Sequence, residues 1–519
     1  MQTLPLGINT LKAIRSNNMV YIDKTALAWD IVKQPGRFFL SRPRRFGKSL
    51  FLDTLQEIFQ GNQSLFEHLY IHDKWDWSVT YPVIKIDFAS GTLQSRQELD
   101  KRIIRILTNN EQRLGVHVDK ENDIPGYLGE LIQKTKTKYG KQVVILVDEY
   151  DKPILDNIDQ PEIAALMRDG LKNLYSVLKE QDAHIQCAFM TGVSKFSKVS
   201  LFSGLNQLKD ITLSQDYATI CGYTHEDLQT SFAEHLAGVD WGKLKRWYDG
   251  YKWLGNVPVY NPYDILLFIS ENHTYRNFWF ETGNPSFLIK LFQKKSYFLP
   301  NLEEIVVTEQ ILDSFDVESI DPLTLLFQTG YLTIEETFTR RERMMFRLKI
   351  PNLEVKIALN DVFIDGYTDQ TSSEKLPLQE NLYESLLQGD IPELMRHITR
   401  LFASIPYRNF TNNNLPETEG YYASVLYAFF ASLNAEIIPE DITNHGQIDM
   451  TIKLGANIYV MEIKVIKETE IEHNPALKQI QNMNYAQKYL DTPDVRIYEL
   501  GLVFSKATRN IIKSDWVRR

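Results

Sequence analysis

The sequence predicts an α/β protein: a parallel sheet built around a phosphate loop, a helical middle region, and a second α/β unit toward the C-terminal end. Three observations predict it. Residues 37–50, RFFLSRPRRFGKSL, run from an apolar strand through a turn into an amphipathic helix. Residues 141–150, KQVVILVDEY, hold an apolar run that ends on two acids, the pattern of a buried parallel strand. Farther on, Asp449 is followed thirteen residues later by Glu462-Ile463-Lys464, inside a strand–strand–helix pattern.

Strand, loop and helix in that order are what a nucleotide-binding phosphate loop requires. Backbone N–H groups at the helix start point at an anion, and the helix dipole favours it. On this reading Lys48 reaches the outer phosphates of ATP and Ser49 ligates Mg²⁺. The usual pattern is G-x-x-x-x-G-K-[ST]. Here Arg42 takes the first glycine position and Pro43 removes one N–H donor. Charge replaces them, so Arg42, Arg44, Arg45, Phe46, Gly47, Lys48 and Ser49 are the expected nucleotide contacts. The alternative is a solvated basic turn before an ordinary helix. The second motif favours the nucleotide site: Asp148 suits the Mg²⁺ shell and Glu149 suits activation of water. Its own alternative is a strand ending in a solvated acidic turn.

The remaining elements fall into place around these two. A short helix opens near Asp23, which brackets the loop or approaches the nucleotide base. The helix after the loop spans 49–59. A second strand is expected at 83–88, and charged helices at 94–113 and 127–138. Pro161 is well placed to start a helix at 162–179. Strands at 185–190 and 209–213 complete an alternation that implies a parallel sheet covered on both faces. Thr191, Ser194 and Lys195, just past the 185–190 strand, are candidates to sense the outer phosphate; ordinary turn hydroxyls are the alternative.

Thr224 and Asp227 read as a capping box. From residue 236 the chain is aromatic-rich, and Asn261-Pro262 and Asn284-Pro285 read as helix starts. These aromatics read as core rather than as a base-stacking face. Arg340, Arg341 and Arg343 form a basic cluster, either a solvated turn or a contact for nucleic acid or a partner. The expected domains are 1–235, 236–370 and 371–519.

The third domain carries its own constellation. Helices are expected at 378–387, 391–402 and 419–433, with a polar link at 410–420 and strands at 435–439, 447–453 and 458–465. Alternation puts Glu462 and Lys464 on one face of their strand, and Asp449 on the paired strand can converge with them. With Glu419 from the preceding helix they make a hard-cation site for Mg²⁺. There a metal polarises a scissile phosphate, and Lys464 orients the attacking water or stabilises the charge that develops. The alternative is a hairpin of alternating solvated charges. A helix at 475–490 would set Gln481 and Tyr485 on one face. With Gln479 they either contact nucleic acid or cap a polar surface.

The totals bound these readings. A chain of 519 residues exceeds one core, and 43% apolar with 24% charged residues is the composition of a globular protein. A net charge of −10 argues against a general nucleic-acid coat but allows a local basic groove. Cys187 and Cys221 form neither a disulfide framework nor a metal pattern, which fits a reduced, cytoplasmic setting. Neither a signal peptide nor a membrane-spanning run is expected.

Residues 1–235 resemble the AAA-ATPase-like family of bacterial proteins in YIDKT, FFLSRPRRFGKSL, VVILVDEYDKPI, MTGVSKFSKVSLFSGLNQLKDITL and CGYTHEDL. RPRRFGKS is that family's version of the phosphate loop, so the missing first glycine departs from the general motif and not from the family. Residues from about 376 to 519 resemble the PD-(D/E)XK nuclease superfamily in GQIDMTIK, YVMEIKV and ALKQIQNMNYAQKY. The resemblance implies an AAA-type sheet domain followed by a restriction-endonuclease-like domain. It puts Glu419, Asp449, Glu462 and Lys464 on the nuclease motif and Gln479 and Tyr485 on its helix. It implies ATP and Mg²⁺ as cofactors and nucleic acid as partner, DNA ahead of RNA, in defence or DNA processing. It leaves open a homo-oligomer, with Arg44, Arg45 or Arg168 completing a neighbour's site.

Overall fold

The computed structural model describes residues 1–119, 123–196, 208–279, 305–313, 321–368, 372–405, 419–433, 435–443 and 445–519. Asn284-Pro285, most of the 410–420 link and residues 197–207 of the segment after the 185–190 strand lie outside them. The described residues group into two units, one drawn from 1–282 and 305–354, the other from 355–519.

In the first unit, strands β1 (Gly36–Ser41), β2 (Val83–Asp87), β3 (Val143–Asp148), β4 (Ile185–Gly192) and β5 (Lys209–Asp210) pair in the order β2-β3-β4-β1-β5. Every pairing is parallel. β3 is buried along its whole length, as a continuous apolar run in a two-sided parallel sheet requires. The order matters for the site. β4 lies between β1, which feeds the phosphate loop, and β3, which ends on Asp148. Their carboxyl ends therefore meet at one edge, where open α/β sheets bind ligands. β5 is shorter than the 209–213 expected. After Asp210 the chain turns in, and the Thr212 hydroxyl accepts from the Ser41 N–H at 3.0 Å.

A two-stranded ribbon, β6 (Tyr223–Thr224) with β7 (Val259–Tyr260), leads into the middle region. Thr224 and Asp227 form the expected capping box. Helices Trp241–Tyr248 and Pro262–Ser270 pack with Tyr248, Phe268 and Phe278 buried, so the aromatics are core. Helices account for only part of this region. Strands β8 (Ile305–Thr308), β9 (Thr333–Arg340) and β10 (Arg343–Lys349) form an antiparallel sheet in the order β8-β10-β9. Their sequences hide it because one face is polar and exposed, while Ile334, Phe346 and Leu348 carry the buried face.

The second unit is a mixed sheet: β11 (Glu436–Thr443), β12 (Gly446–Leu454), β13 (Asn457–Ile466), β14 (Arg496–Ser505) and β15 (Asn510–Arg518), hydrogen-bonded in that order. Only β13 and β14 run parallel. Helix Glu419–Ser432 is apolar nearly all round and almost wholly buried. The helix expected at 475–490 stops at Asn482. Asn484 takes a left-handed φ of 50°, and a 3₁₀ turn, Tyr485–Tyr489, follows. Gln481 and Tyr485 therefore share no helix face. Among the described residues, no helix is long and apolar enough to cross a membrane.

Candidate functional site

The phosphate loop leaves β1 at Ser41 and closes at Gly47, which caps helix Lys48–Phe59 with a φ of 93°, a conformation that favours glycine. Arg45 also takes a positive φ, 66°. The loop borders a cavity of about 520 Å³ lined by Arg44, Arg45, Phe46, Gly47, Lys48 and Ser49, with Glu149 across from them. Its volume falls in the range of cofactor pockets. Tyr21, Tyr223 and Tyr263 supply aromatic wall.

Lys48 is buried, and its ammonium donates to the carbonyls of Arg42 at 2.9 Å and Pro43 at 2.8 Å. Burial lowers its pKa. A phosphate in the loop offers that ammonium a charged acceptor in place of two carbonyls. Glu149 has a φ of 49° at the mouth of β3, and burial raises its carboxyl pKa. Asp148 is buried and accepts from the Thr191 hydroxyl at 2.7 Å, so β4 holds the acid of β3 in place.

Arg42 is different. It is fully buried, does not line the cavity, and spends its guanidinium on backbone. It donates to the carbonyls of Ser41 at 2.8 Å, Thr212 at 2.9 Å and Tyr217 at 3.2 Å, and stacks 3.9 Å over Trp253. The side chain at the first glycine position thus braces the loop from beneath. Ser194 and Lys195 are also buried and lie off the cavity lining. Ser194 donates its hydroxyl to Asp151 at 2.5 Å, and Lys195 pairs with Asp210 at 2.5 Å. Asp151 was not singled out from sequence, yet it organises this corner. It also accepts from the N–H groups of Val193 and Ser194. The only signal was a third acid in VDEYD.

In the second unit, β12 and β13 bring Asp449 and Glu462 together. Asp449 accepts from the Ile463 N–H at 2.7 Å. Lys464 donates to Glu462 at 2.8 Å and lies 3.9 Å from Glu419. The second oxygen of Glu462 is buried without a hydrogen-bond partner. Burial first, and then the nearby Asp449 charge, push Glu462 up to about 7; burial also raises Asp449. Burial pulls Lys464 down, but its hydrogen bond to Glu462 together with the charges of Glu462, Glu419 and Asp449 outweighs this and the net shift is upward. These are hard oxygen donors, and a cationic ammonium already lies between two of them, so the chemistry suits a divalent cation. Among the described residues, no three His, Cys, Asp or Glu side chains stand close enough to hold an ion as the chain lies here. Gln479 is half-buried, whereas Tyr485 sits in the core with Ile448 and Ile480.

The two sites correspond to two recognised domain types. Residues 5–202 match the family described as predicted AAA-ATPase, and residues 417–514 match the PD-(D/E)XK nuclease superfamily. The chain is 45% identical over 510 residues to an uncharacterized protein in the vnfD 5′ region of Azotobacter chroococcum mcd 1, covering 98% of each. It belongs to that protein's family, and in this chain an AAA-ATPase-like domain precedes a PD-(D/E)XK nuclease superfamily domain. Two solved structures are similar to it at 11% identity, each covering 66% of this chain and 92% of its own. The Aeropyrum pernix ORC2 protein in ADPNP-ADP complexes has a TM-score of 0.27, and Cdc6p from Pyrobaculum aerophilum one of 0.20.

Proposed function

We propose that this chain binds and hydrolyses ATP in its first unit and cleaves nucleic acid, DNA ahead of RNA, in its second. The observation that supports the nuclease most is the Glu462–Lys464 pair. A buried carboxylate with one unpartnered oxygen lies beside Asp449 and a lysine that reaches toward Glu419.

Glu419, Asp449 and Glu462 would hold Mg²⁺, which supplies polarisation of the scissile phosphate and a water of lowered pKa. The chain's own groups do the rest. The Ile463 N–H fixes the Asp449 carboxylate. Lys464 stays protonated beside Glu462 and offers its charge to the phosphate oxygens as negative charge grows. In the ATPase site, Lys48 and the loop N–H groups hold phosphates, and Ser49 and Asp148 would hold Mg²⁺. Glu149 accepts the proton of the attacking water.

Metal-dependent cleavage of mixed DNA and RNA substrates, with and without ATP, tests this. Glu462→Gln should lower cleavage at least ~100-fold and leave ATP affinity intact. Cleavage at the wild-type rate in that variant would refute the assignment. Lys48→Ala should abolish ATP hydrolysis, and its cleavage rate reports whether ATP gates the nuclease. A second reading has one observation in its favour, the lack of a preformed three-carboxylate cluster among the described residues. In it the C-terminal domain binds nucleic acid or a partner without cutting, under ATP control. Tight ATP binding with no cleavage under any metal would select it.

A further inference from the structure

The segment from β8 to β10 runs strand, helix Glu309–Asp313, helix Pro322–Thr329, then a hairpin, with the first strand paired to the last. This is the layout of a winged helix-turn-helix. The helix that such a unit would lay in a groove is not free here. Thr324, Leu325, Leu326, Phe327 and Gln328 are all buried, and Gly330 at its end abuts Pro43 of the phosphate loop. What projects is the hairpin.

Charge along the hairpin is unevenly balanced. On its stem, Arg347 pairs with Glu336 at 2.9 Å and Lys349 with Glu335 at 3.4 Å. At its tip, Arg340, Arg341 and Arg343 are exposed, and none makes an ion pair among the described residues. Glu342 is the one acid there. Arg340 and Arg343 stand directly opposite each other across the ladder, a like-charge placement that costs stability. Arg341 and Glu342 take φ of 52° and 59°, a two-residue turn that normally selects Asn or Gly. The tip thus concentrates cations where neither the turn nor the ladder favours them. An anion lying between the arginines relieves both the repulsion and the missing partners.

We infer that Arg340, Arg341 and Arg343 form a hairpin wing that grips the phosphate backbone of duplex DNA. The inference rests on reading the chain as a nucleic-acid enzyme and names where the substrate is held away from the cleavage site. Three guanidiniums at a narrow turn suit successive phosphates and carry no base readout.

The test is anisotropy of a labelled duplex with the full chain in EDTA, across a salt series, so that binding is read without cleavage. The triple Arg340→Ala/Arg341→Ala/Arg343→Ala variant should weaken binding roughly a hundredfold at about 0.1 M salt. The slope of log affinity against log salt should become shallower by about 3. The triple Lys variant should keep the wild-type slope. ATP affinity, measured alongside, should be unchanged in both. An alanine variant with wild-type affinity and slope overturns the inference, as does a wild type that prefers single strands or RNA. Loss of the salt slope in the lysine variant also overturns it, pointing to a shape-specific protein contact. The outcomes separate from those of the nuclease reading. A chain that binds through the wing but never cuts removes only that reading. A chain that cuts while the alanine variant binds normally removes only this one.

Discussion

Replacing Arg42 with alanine distinguishes a brace from a phosphate ligand. The side chain makes three hydrogen bonds to backbone carbonyls and one cation–π contact, all out of water. Burial lowers its pKa to about 10, so it stays charged at neutral pH. Hydrogen bonds from charged donors contribute about 1.5–3 kcal/mol each, and a desolvated cation–π contact about 2. These terms do not add, because the guanidinium also carries a large desolvation cost. Removing it reverses that cost but strands the Thr212 and Tyr217 carbonyls and opens a hole against Trp253. The net expectation for Arg42→Ala is a loss of roughly 3–5 kcal/mol of stability in the first unit. Arg42→Lys keeps the charge without the fork and should fall between. Urea unfolding followed by Trp fluorescence reads the stability, and ATP titration at low denaturant reads the site. An unchanged midpoint with ATP affinity lost by tenfold or more would refute the brace.

Two further outcomes follow from the same unit. Asp264 and Glu354 are buried facing each other, and burial raises both carboxyls, Asp264 to about 7. Glu354 also accepts from the N–H groups of Phe278 and Trp279, and the Arg45 charge acts on Asp264. A carboxyl raised in the folded state keeps a proton the unfolded chain has lost. Stability should therefore fall as pH rises from about 4 to about 7, by on the order of 3 kcal/mol. Asp264→Asn should flatten that slope, and chemical unfolding at pH 5 and pH 8 checks it; an identical pH dependence would show that the pair does not share a proton. Gly330→Ala places a methyl 2.8 Å from Trp279 and 2.9 Å from Pro43 at a φ of 91°. It should destabilise the first unit by roughly 1–3 kcal/mol, and a wild-type melting curve would contradict the close packing.

What the sequence disclosed depended on whether the information was local. The phosphate loop, the strand ending on Asp148 and the Asp449…Glu462-x-Lys464 spacing are each contiguous patterns, and each puts its residues at one edge of a sheet. Arg42 looked like a phosphate contact because the motif specifies position, not direction. Its true partners, Thr212, Tyr217 and Trp253, are more than 150 residues away. The partner of Ser194 is hidden for the same reason: its hydroxyl donates to Asp151, which comes from the neighbouring strand's exit. Tyr485 looked like a helix-face residue because nothing in NMNYAQKY marks the break. A left-handed Asn484 makes it and turns the ring into the core.

Other long-range contacts tie the phosphate loop to the base of the β9–β10 hairpin. Phe46 of the loop meets Tyr251 edge-on at 4.8 Å and Trp253 at 5.7 Å. Lys252 stands between Tyr251 and Trp253 in the chain. Its N–H donates to the Thr333 hydroxyl at 2.7 Å, and its carbonyl accepts from Thr333 and from the Ile334 N–H. Thr333 and Ile334 are the first residues of β9, whose far end is Arg340. On the other side, the Lys195 N–H donates to Gln328 in the helix that precedes the hairpin. A change in loop conformation on binding phosphate must move Phe46 against a packed aromatic pair or leave it in place. If it moves, the hydrogen bonds at the base of β9 move with it, because close-packed side chains transmit displacement and do not absorb it. Nucleotide-dependent DNA affinity at the wing, measured at saturating nucleotide, would then be lost in Phe46→Ala. Anisotropy of the labelled duplex with and without a non-hydrolysable ATP analogue measures it. Equal ATP dependence in the wild type and in Phe46→Ala would place the coupling, if any, on the Gln328 side.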